Sequence, residues 1–380
     1  MKKILVLNIG STSTKVALFE DENQIFKESI EVPADSIKNI TKARTQIPDR
    51  FESIKKILAD KKVDLKTVDI ISARGGAMPK IKGGAYKVTD YLREVAKYGT
   101  ISQHESSITC VVARMLADPY GIPVIIYDAV ATNEADEISQ ITGYPGIRFN
   151  MSGHPLNARM VARTYAKQLG TVYERNAFIV AHLGGSVSVS AHSHGRIIDM
   201  TGAFNGPMSA QRAGRLPTDS FLKLCYSNQF SFEELRRKLN GQSGFMAYFG
   251  TQNAKEVLDM SETREEVDLI VRAMALQLAK AIAEMRISLN EDPLAIILTG
   301  GMAYSEKFVN LVSERVSFIG QVVTIPGEME MEALAEGGRR VLEGEEKAKI
   351  YESVPEGFDS MEDFLKFARE TEAKEKKSGI

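Results

Sequence analysis

The sequence predicts an α/β protein in which one strand–helix plan is used twice. Three observations carry this. Apolar runs of strand length alternate with longer stretches of helical periodicity along the whole chain, which is the pattern of an α/β fold. The segment Leu5 to Leu18 can be laid without a gap on Ile179 to His192, so that Asn8 meets His182, Gly10 meets Gly184 and Ala17 meets Ala191; a weaker echo pairs Ile70-Ile71 and Gly75-Gly76 with Ile296-Ile297 and Gly300-Gly301. Finally, 380 residues are too many for one hydrophobic core, so two domains are expected.

The first apolar run ends at Asn8, and a tight turn follows at Gly10, Ser11 and Thr12 before a second run leaves at Lys15. Gly10 is expected to turn the backbone at positive φ, and Ser11, Thr12, Ser13 and Thr14 present hydroxyl donors. Successive amides in such a turn make a nest for anionic oxygens, with the cation of Lys15 beside it. A tip of this kind suits the end of a nucleotide's phosphate chain; the alternative is an ordinary polar turn. The chain has no Gly-Lys dipeptide, which excludes a P-loop, and no G-x-G-x-x-G, which argues against a dinucleotide site.

Strands at 3–8, 14–20 and 24–31 make an antiparallel start. A helix at about 49–62 presents Phe51, Ile54 and Leu58 on one face. Strand 68–73 leads into Arg74-Gly75-Gly76. A helix begins near Thr89-Asp90, either of which can cap it, and another runs from about 105 to 118. Strand 122–127 ends on Asp128. The Gly- and Pro-rich stretch from Gly143 to Gly153 is the candidate crossover, giving domains 1–150 and 151–350, with the tail at about 350–380 returning to the first. In the second half the periodicity predicts helix 155–169, strands 177–182, 186–192 and 196–199, and helices 218–227 and 231–239. The latter opens on the capping box Ser231-x-x-Glu234. Helix 264–289 opens on a second box, Thr263-x-x-Glu266, and its apolar face includes Ile270, Met274, Leu278 and Ile282. Strand 294–299 ends at Thr299-Gly300-Gly301, helices 305–316 and 329–343 flank strand 321–325, and an amphipathic tail helix from Ser360 shows Met361, Phe364 and Phe367 on one side.

Composition narrows the function class. Hydrophobic content of 43%, charged content of 26% and a net charge of −2 are those of an ordinary globular protein and give no electrostatic case for nucleic acid or an anionic membrane. Cys110 and Cys225 lie far apart in apolar helical settings, which reads as buried thiols in a reducing compartment. The short N-terminal apolar run does not read as a signal peptide, and a cytoplasmic location is the simplest expectation. His192 and His194 are expected to face solvent in a turn before Gly195.

Three charged residues fall where open α/β sheets bind ligands, at strand ends or in small-residue loops: Arg74 after its strand, Asp128 after the next, and Arg212 in Met208-Ser-Ala-Gln-Arg-Ala-Gly-Arg-Leu-Pro217. Taken singly, Asp128 also reads as a cap for 129–137 and Arg74 as a surface ion-pair partner.

A doubled strand–turn–strand plan of this kind resembles the superfamily of acetate and sugar kinases, heat-shock chaperones and actin. Residue by residue the chain resembles the acetate kinase family, and most its butyrate kinase branch. The matching segments are Asn8-Ile-Gly-Ser-Thr-Ser-Thr-Lys15, Ser72-Ala-Arg-Gly-Gly76, Asp128, His154 with Asn157, His182-Leu-Gly-Gly185, Gln211-Arg-Ala-Gly214 with Leu216-Pro217, and Thr299-Gly-Gly301. The resemblance implies a two-domain actin-like (ribonuclease H-like) ATPase fold with a duplicated βββαβαβα core and a central cleft. It implies in-line transfer from MgATP to a short-chain fatty acid, giving acyl phosphate and ADP, by a homodimer or larger homo-oligomer.

The roles it implies suit the chemistry. A carboxylate is already ionised at neutral pH and needs no general base; it needs help in approaching a second anion. Arg74 and Arg212 supply guanidinium groups that grip carboxylate or phosphoryl oxygens. His154 matches a donor to the phosphoryl group in flight. Asn8, Asp128 and Glu330 match the surroundings of Mg²⁺, with Glu328 or Glu332 as alternatives to Glu330. His104 matches a wall of the substrate site. Gly10, Ser11, Thr12, Ser13, Lys15, His182, Gly184, Gly185 and Ser186 match the phosphate side, and Gly300, Gly301 and Met302 the adenosine side, with Thr251 to Lys255 nearby. The chain departs from the family pattern at Ser186, where a glycine is usual, at Arg215 and around His104, positions that bear on acyl chain length. A sugar kinase would use Asp128 as a base and leaves both arginines unexplained; an ATP-driven switch would need a partner-binding domain.

Overall fold

The computed structural model describes residues 1–10, 13–32, 43–101, 104–149, 151–202 and 204–378, without the side chains of 376–378. Ser11 and Thr12 lie outside the described residues.

The chain divides into two compact units, one made of Met1–Asn133 with Glu330–Ile380 and the other of Glu134–Met329. The first is built on β1 (Lys3–Ile9), β2 (Ser13–Glu20), β3 (Asn23–Glu31), β4 (Ile70–Arg74), β5 (Ala85–Lys87) and β6 (Val124–Tyr127), in the order β3-β2-β1-β4-β6-β5. β1 runs antiparallel to β2 and parallel to β4, and β4 parallel to β6. β1 is buried on both faces, as a central strand of such a sheet must be. Leu5, Leu7 and Ile9 face a core shared with α1 (Ile47–Asp60), α2 (Asp90–Tyr98) and α3 (Thr109–Ala117).

The second unit carries α4 (Pro155–Gln168), then β7 (Ala177–Leu183), β8 (Val187–Ser193) and β9 (Arg196–Thr201). After these come α5 (Thr218–Cys225), α6 (Phe232–Gly241), α7 (Ala254–Met260), α8 (Glu265–Ser288), β10 (Ala295–Gly300), α9 (Glu306–Val316) and β11 (Val322–Pro326). Its sheet order, β11-β10-β7-β8-β9, repeats the β6-β4-β1-β2-β3 order of the first. Ile179, Ala181 and Leu183 face the core under α8, while Phe178 and Val180 face Ala158, Val161, Ala162 and Tyr165 of α4.

The helices that close each sheet are exchanged in sequence. α4 follows β6 of the first sheet but packs on β7 and β10 of the second; α10 (Glu330–Glu343) follows β11 of the second but packs on β1, β4 and β6 of the first. α11 (Met361–Ser378) also lies in the first unit, with Phe364 buried there. This exchange places the unit boundaries at 133/134 and 329/330, where the sequence put them at 150/151 and about 350. The Gly143–Gly153 stretch lies wholly inside the second unit, and an isolated antiparallel bridge joins Ile141 to Arg148.

Other expectations need correction. The gapless overlay holds for β1 on β7 but slips after the turn: β1 pairs β2 up to Ile9↔Thr14, and β7 pairs β8 up to Leu183↔Val187, so the second turn is one residue shorter. Gly10 is not at positive φ. Its N–H donates to the Ser13 carbonyl at 2.8 Å, while Gly184 N–H donates to the Ser186 carbonyl at 3.1 Å. The Ser231–Glu234 capping box forms with both of its hydrogen bonds, but the Thr263 box does not; α8 starts after Arg264 with no side-chain cap. Cys110 is buried, and burial pushes its thiol up to about 12, but Cys225 is exposed. His192 is fully buried in β8, between the Tyr173 hydroxyl (2.9 Å) and the Ser190 hydroxyl (2.8 Å), and only His194 faces solvent. Asp128 caps no helix; residues 129–136 are not helical. Among the described residues no helix is long and apolar enough to cross a membrane.

Candidate active site

In the first unit the parallel strands β1, β4 and β6 end side by side. Their register sets Leu7 beside Ala73 and Arg74 beside Tyr127, so Asn8, Arg74 and Asp128 meet at one edge of the sheet. Gly75 lets this edge close up, because a Cβ there would stand 2.6 Å from Cβ of Ala129. α10 adds Glu330, whose Oε2 accepts from Asn8 Nδ2 at 2.8 Å and from Arg74 Nη1 at 2.5 Å; Arg74 Nη1 is also 3.4 Å from Asn8 Oδ1. Of the three glutamates weighed, Glu330 therefore joins Asn8 and Arg74, while Glu328 lies 3.7 Å from His182 and Glu332 pairs with Lys27. The buried Nε of Arg74 has no hydrogen-bond partner among the described residues. Asp128 is buried at φ 39°, a left-handed conformation that costs energy in a non-glycine residue, and its Oδ1 accepts from Gly84 N–H at 2.8 Å.

His104 caps the turn Glu105–Ile108, its Nδ1 accepting from Ser106 N–H at 3.1 Å. Burial holds it below its ordinary value, Glu105 opposes that, and the positive charge of Arg74 adds to it. Lys15 lies on β2 directly opposite Asn8. Beneath the β1–β2 turn sits Arg50, which sequence reasoning did not single out. It is buried in α1 and donates to Thr14 Oγ1 (2.7 Å) and the Gly10 carbonyl (3.1 Å), with Gln46 Oε1 on Nε at 3.1 Å. The signal was present: Arg50, Ile54 and Leu58 share the buried stripe of α1, where an arginine needs partners.

In the second unit the β7–β8 turn, 184–186, is surrounded by His154, His182 and the loop around Arg212. Asn157 Oδ1 accepts from Met329 N–H at 2.8 Å, so its Nδ2 is the donor toward Nδ1 of His182 at 3.0 Å. That leaves the His182 proton on Nε2. His182 is buried, and its ring stacks on His154 at 3.8 Å with 17° between planes. Nδ1 of His154 is 2.9 Å from Ser188 Oγ, and Nε2 is 3.1 Å from Ser186 Oγ. The Arg212 loop is tied to the turn through Ser209, whose Oγ donates to the Gly185 carbonyl at 2.7 Å and accepts from Arg212 N–H at 3.2 Å. The amide end of Gln211 lies over Gly185, where a Cβ would stand 2.9 Å from its Nε2. The guanidinium of Arg212 is half-buried, which lowers its pKa, and among the described residues no carboxylate pairs with it.

Gly300 ends β10 at φ 89°, with its Cα facing the Leu183 backbone so closely that a Cβ would stand 2.6 Å from the Leu183 oxygen. Gly301 opens onto free space, but Met302 is a core side chain, leaving only its backbone for a ligand. The described residues hold no group of three or more His, Cys, Asp or Glu side chains arranged to bind a metal. The expected oxygen donors Asn8, Asp128 and Glu330 are two carboxylates and an amide, which suits Mg²⁺, an ion that keeps waters and takes phosphate oxygens.

Residues 146–354 match the model of the acetokinase family. A probable butyrate kinase of Caldanaerobacter subterraneus is 39% identical over 353 residues, covering 92% of this chain and 100% of that protein. A butyrate kinase of Clostridium acetobutylicum is 38% identical over 354 residues, with 92% and 100% covered. Among solved structures, Porphyromonas gingivalis acetate kinase superposes with a TM-score of 0.73 at 17% identity (90% of this chain, 100% of that one), and a propionate kinase from Francisella tularensis with 0.72 at 18% (89% and 99%). These structures share the fold, and they bear out the actin-like α/β class. The expected place among phosphotransferases acting on a carboxyl group is borne out as well: this chain belongs to the acetokinase family.

Proposed function

We propose that this protein transfers the γ-phosphoryl group of MgATP to a short-chain fatty acid, butyrate first, giving acyl phosphate and ADP in a reversible reaction. The observation that carries the reading is Arg212: a half-buried guanidinium with no carboxylate partner among the described residues, on a loop tied to the 184–186 turn. A partly desolvated, unpaired cation next to a phosphate-binding turn is an anion site. The butyrate kinase relatives supply the substrate class.

Each residue has work to do. Arg212 grips the phosphoryl group in transfer, and His154 donates to it. Arg74 takes the substrate carboxylate in the place where Glu330 now sits. The amides of Gly185 and Ser186 receive phosphate oxygens, with Lys15 a further cation for them, and the backbone at 300–302 lines the nucleoside. Asn8, Asp128 and Glu330 would hold Mg²⁺, which neutralises phosphate charge when bound. Because the acceptor is already an anion, these groups act by alignment and electrostatic stabilisation and not by removing a proton. The soluble-type composition supports a cytoplasmic location. Ile138, Ile141, Tyr144 and Ile147 are exposed within ten residues, which supports self-association through the second unit.

A hydroxylamine trap tests the activity. With MgATP and butyrate the protein is expected to yield butyryl hydroxamate, and rates across acetate, propionate, butyrate, isobutyrate and valerate rank the acids. ATP turnover with no hydroxamate from any of them would refute the reading.

A further inference from the structure

We propose that Ser186 is itself a phosphoryl acceptor, so that the tip of the β7–β8 hairpin carries a self-phosphorylation site. The inference rests on reading the 184–186 turn as a seat of the ATP phosphates. Ser186 Oγ lies 3.1 Å from His154 Nε2, and the other nitrogen of that ring is fixed 2.9 Å from Ser188 Oγ. The ring is held from one face by the stacked His182, which Asn157 locks in turn. A hydroxyl within reach of an imidazole nitrogen, with the second nitrogen oriented by a third group, is the arrangement that activates a serine for attack.

The unit contains a second triple of the same chemistry, and the contrast is informative. Tyr173, His192 and Ser190 are linked at 2.9 and 2.8 Å, but His192 and Ser190 are buried and no ligand can reach them. Ser188 is likewise buried, whereas Ser186 is half-exposed at the tip of its turn. Of these serines, Ser186 alone pairs a histidine contact with access to a ligand on the turn.

In the step, Ser186 Oγ attacks the γ-phosphorus. An Oγ–P bond forms, the bond from that phosphorus to the β–γ bridging oxygen breaks, ADP leaves with the electron pair, and the hydroxyl proton passes to His154 Nε2. The products are phosphoserine and ADP. A bound carboxylate wins the competition because it has no proton to lose, so the serine reaction belongs to the enzyme charged with MgATP and lacking an acceptor.

The experiment incubates the full-length protein with MgATP labelled at the γ position and no carboxylate, then maps the label. Tryptic cleavage at Arg175 and Arg196 isolates the peptide 176–196. The expected result is label on Ser186, stable to acid and to hydroxylamine, suppressed by butyrate, lost to background in Ser186→Ala, retained in Ser186→Thr and slowed in His154→Gln. Wild-type protein with no label on Ser186 overturns the proposal, as does acid-labile label on histidine or hydroxylamine-labile label on a carboxylate. If butyryl hydroxamate still forms while Ser186 stays unlabelled, this inference alone fails. If label appears on Ser186 but no acid yields hydroxamate, the carboxylate kinase reading fails and this one stands.

Discussion

Arg74 and Arg212 are the same side chain in two electrostatic states. Arg74 donates through Nη1 to Glu330 and Asn8 while its buried Nε has no partner among the described residues, and Arg212 carries its charge half-buried with no carboxylate partner among them. Both positions were legible in the sequence, one after an apolar strand and one in a small-residue loop. What the sequence could not show is which of them is occupied, because Glu330 lies 256 residues from Arg74 and reaches it only through the exchange of α10. His192 was misread for a related reason: a histidine next to a turn looks solvated until the register of β8 turns it inward. Burial chiefly, and the charges of Arg159 and Arg163, lower it from 6.5 to about 3. The unfolded chain binds a proton at this histidine below about pH 6.5 and the folded chain does not, so its contribution is constant above that pH and is lost as pH falls toward 3. At about 1.4 kcal/mol per pH unit, the loss at pH 4.5 is on the order of 2–3 kcal/mol. Denaturant unfolding at neutral pH and at pH 4.5 is therefore expected to show a smaller acid-induced loss for His192→Gln than for wild type; equal losses would contradict the assignment.

At the scale of elements, periodicity located nearly every long strand and helix, because each buries one face or both. The short pieces escaped. β5 has three residues, too few for a pattern, and it exists because it pairs with the edge of β6. Close approaches escaped too. Gly337 and Gly338 let α10 lie against the sheet: a Cβ at 337 would collide with the buried ring of Tyr127, and one at 338 would stand 2.8 Å from Ile4 Cγ2. In an ordinary helix interior Gly→Ala stabilises by up to about 1 kcal/mol. Here overpacking reverses the sign, and Gly337→Ala is expected to destabilise by roughly 1–3 kcal/mol. Gly241→Ala, at the end of α6 with nothing within 4 Å of its Cβ, is the control and should be neutral or slightly stabilising. A thermal melt compares them; a Tm for Gly337→Ala at or above wild type would contradict this placement of α10.

At the scale of the whole molecule, the duplication was legible as a repeated strand–turn–strand motif, but the exchange of α4 and α10 was not, because sequence order carries no sign of which sheet a helix joins. The exchange makes the first unit discontinuous. A fragment 1–133 is therefore expected to aggregate alone and to fold when co-expressed with 330–380, while 134–329 folds by itself. Circular dichroism melts of the purified fragments check this, and a cooperative transition for 1–133 alone would count against it. In the proposed mechanism the guanidinium at position 212, with no carboxylate partner among the described residues, holds an anion in transfer. That role is tested most directly by chemical rescue. Arg212→Ala is expected to lose on the order of 3 kcal/mol of transition-state stabilisation, roughly a hundredfold in kcat/KM for hydroxamate formation, with Tm little changed. Free guanidinium ion should restore a saturable part of that rate, and ammonium should restore less. Wild-type turnover in Arg212→Ala, or a loss that guanidinium leaves untouched, would contradict the account.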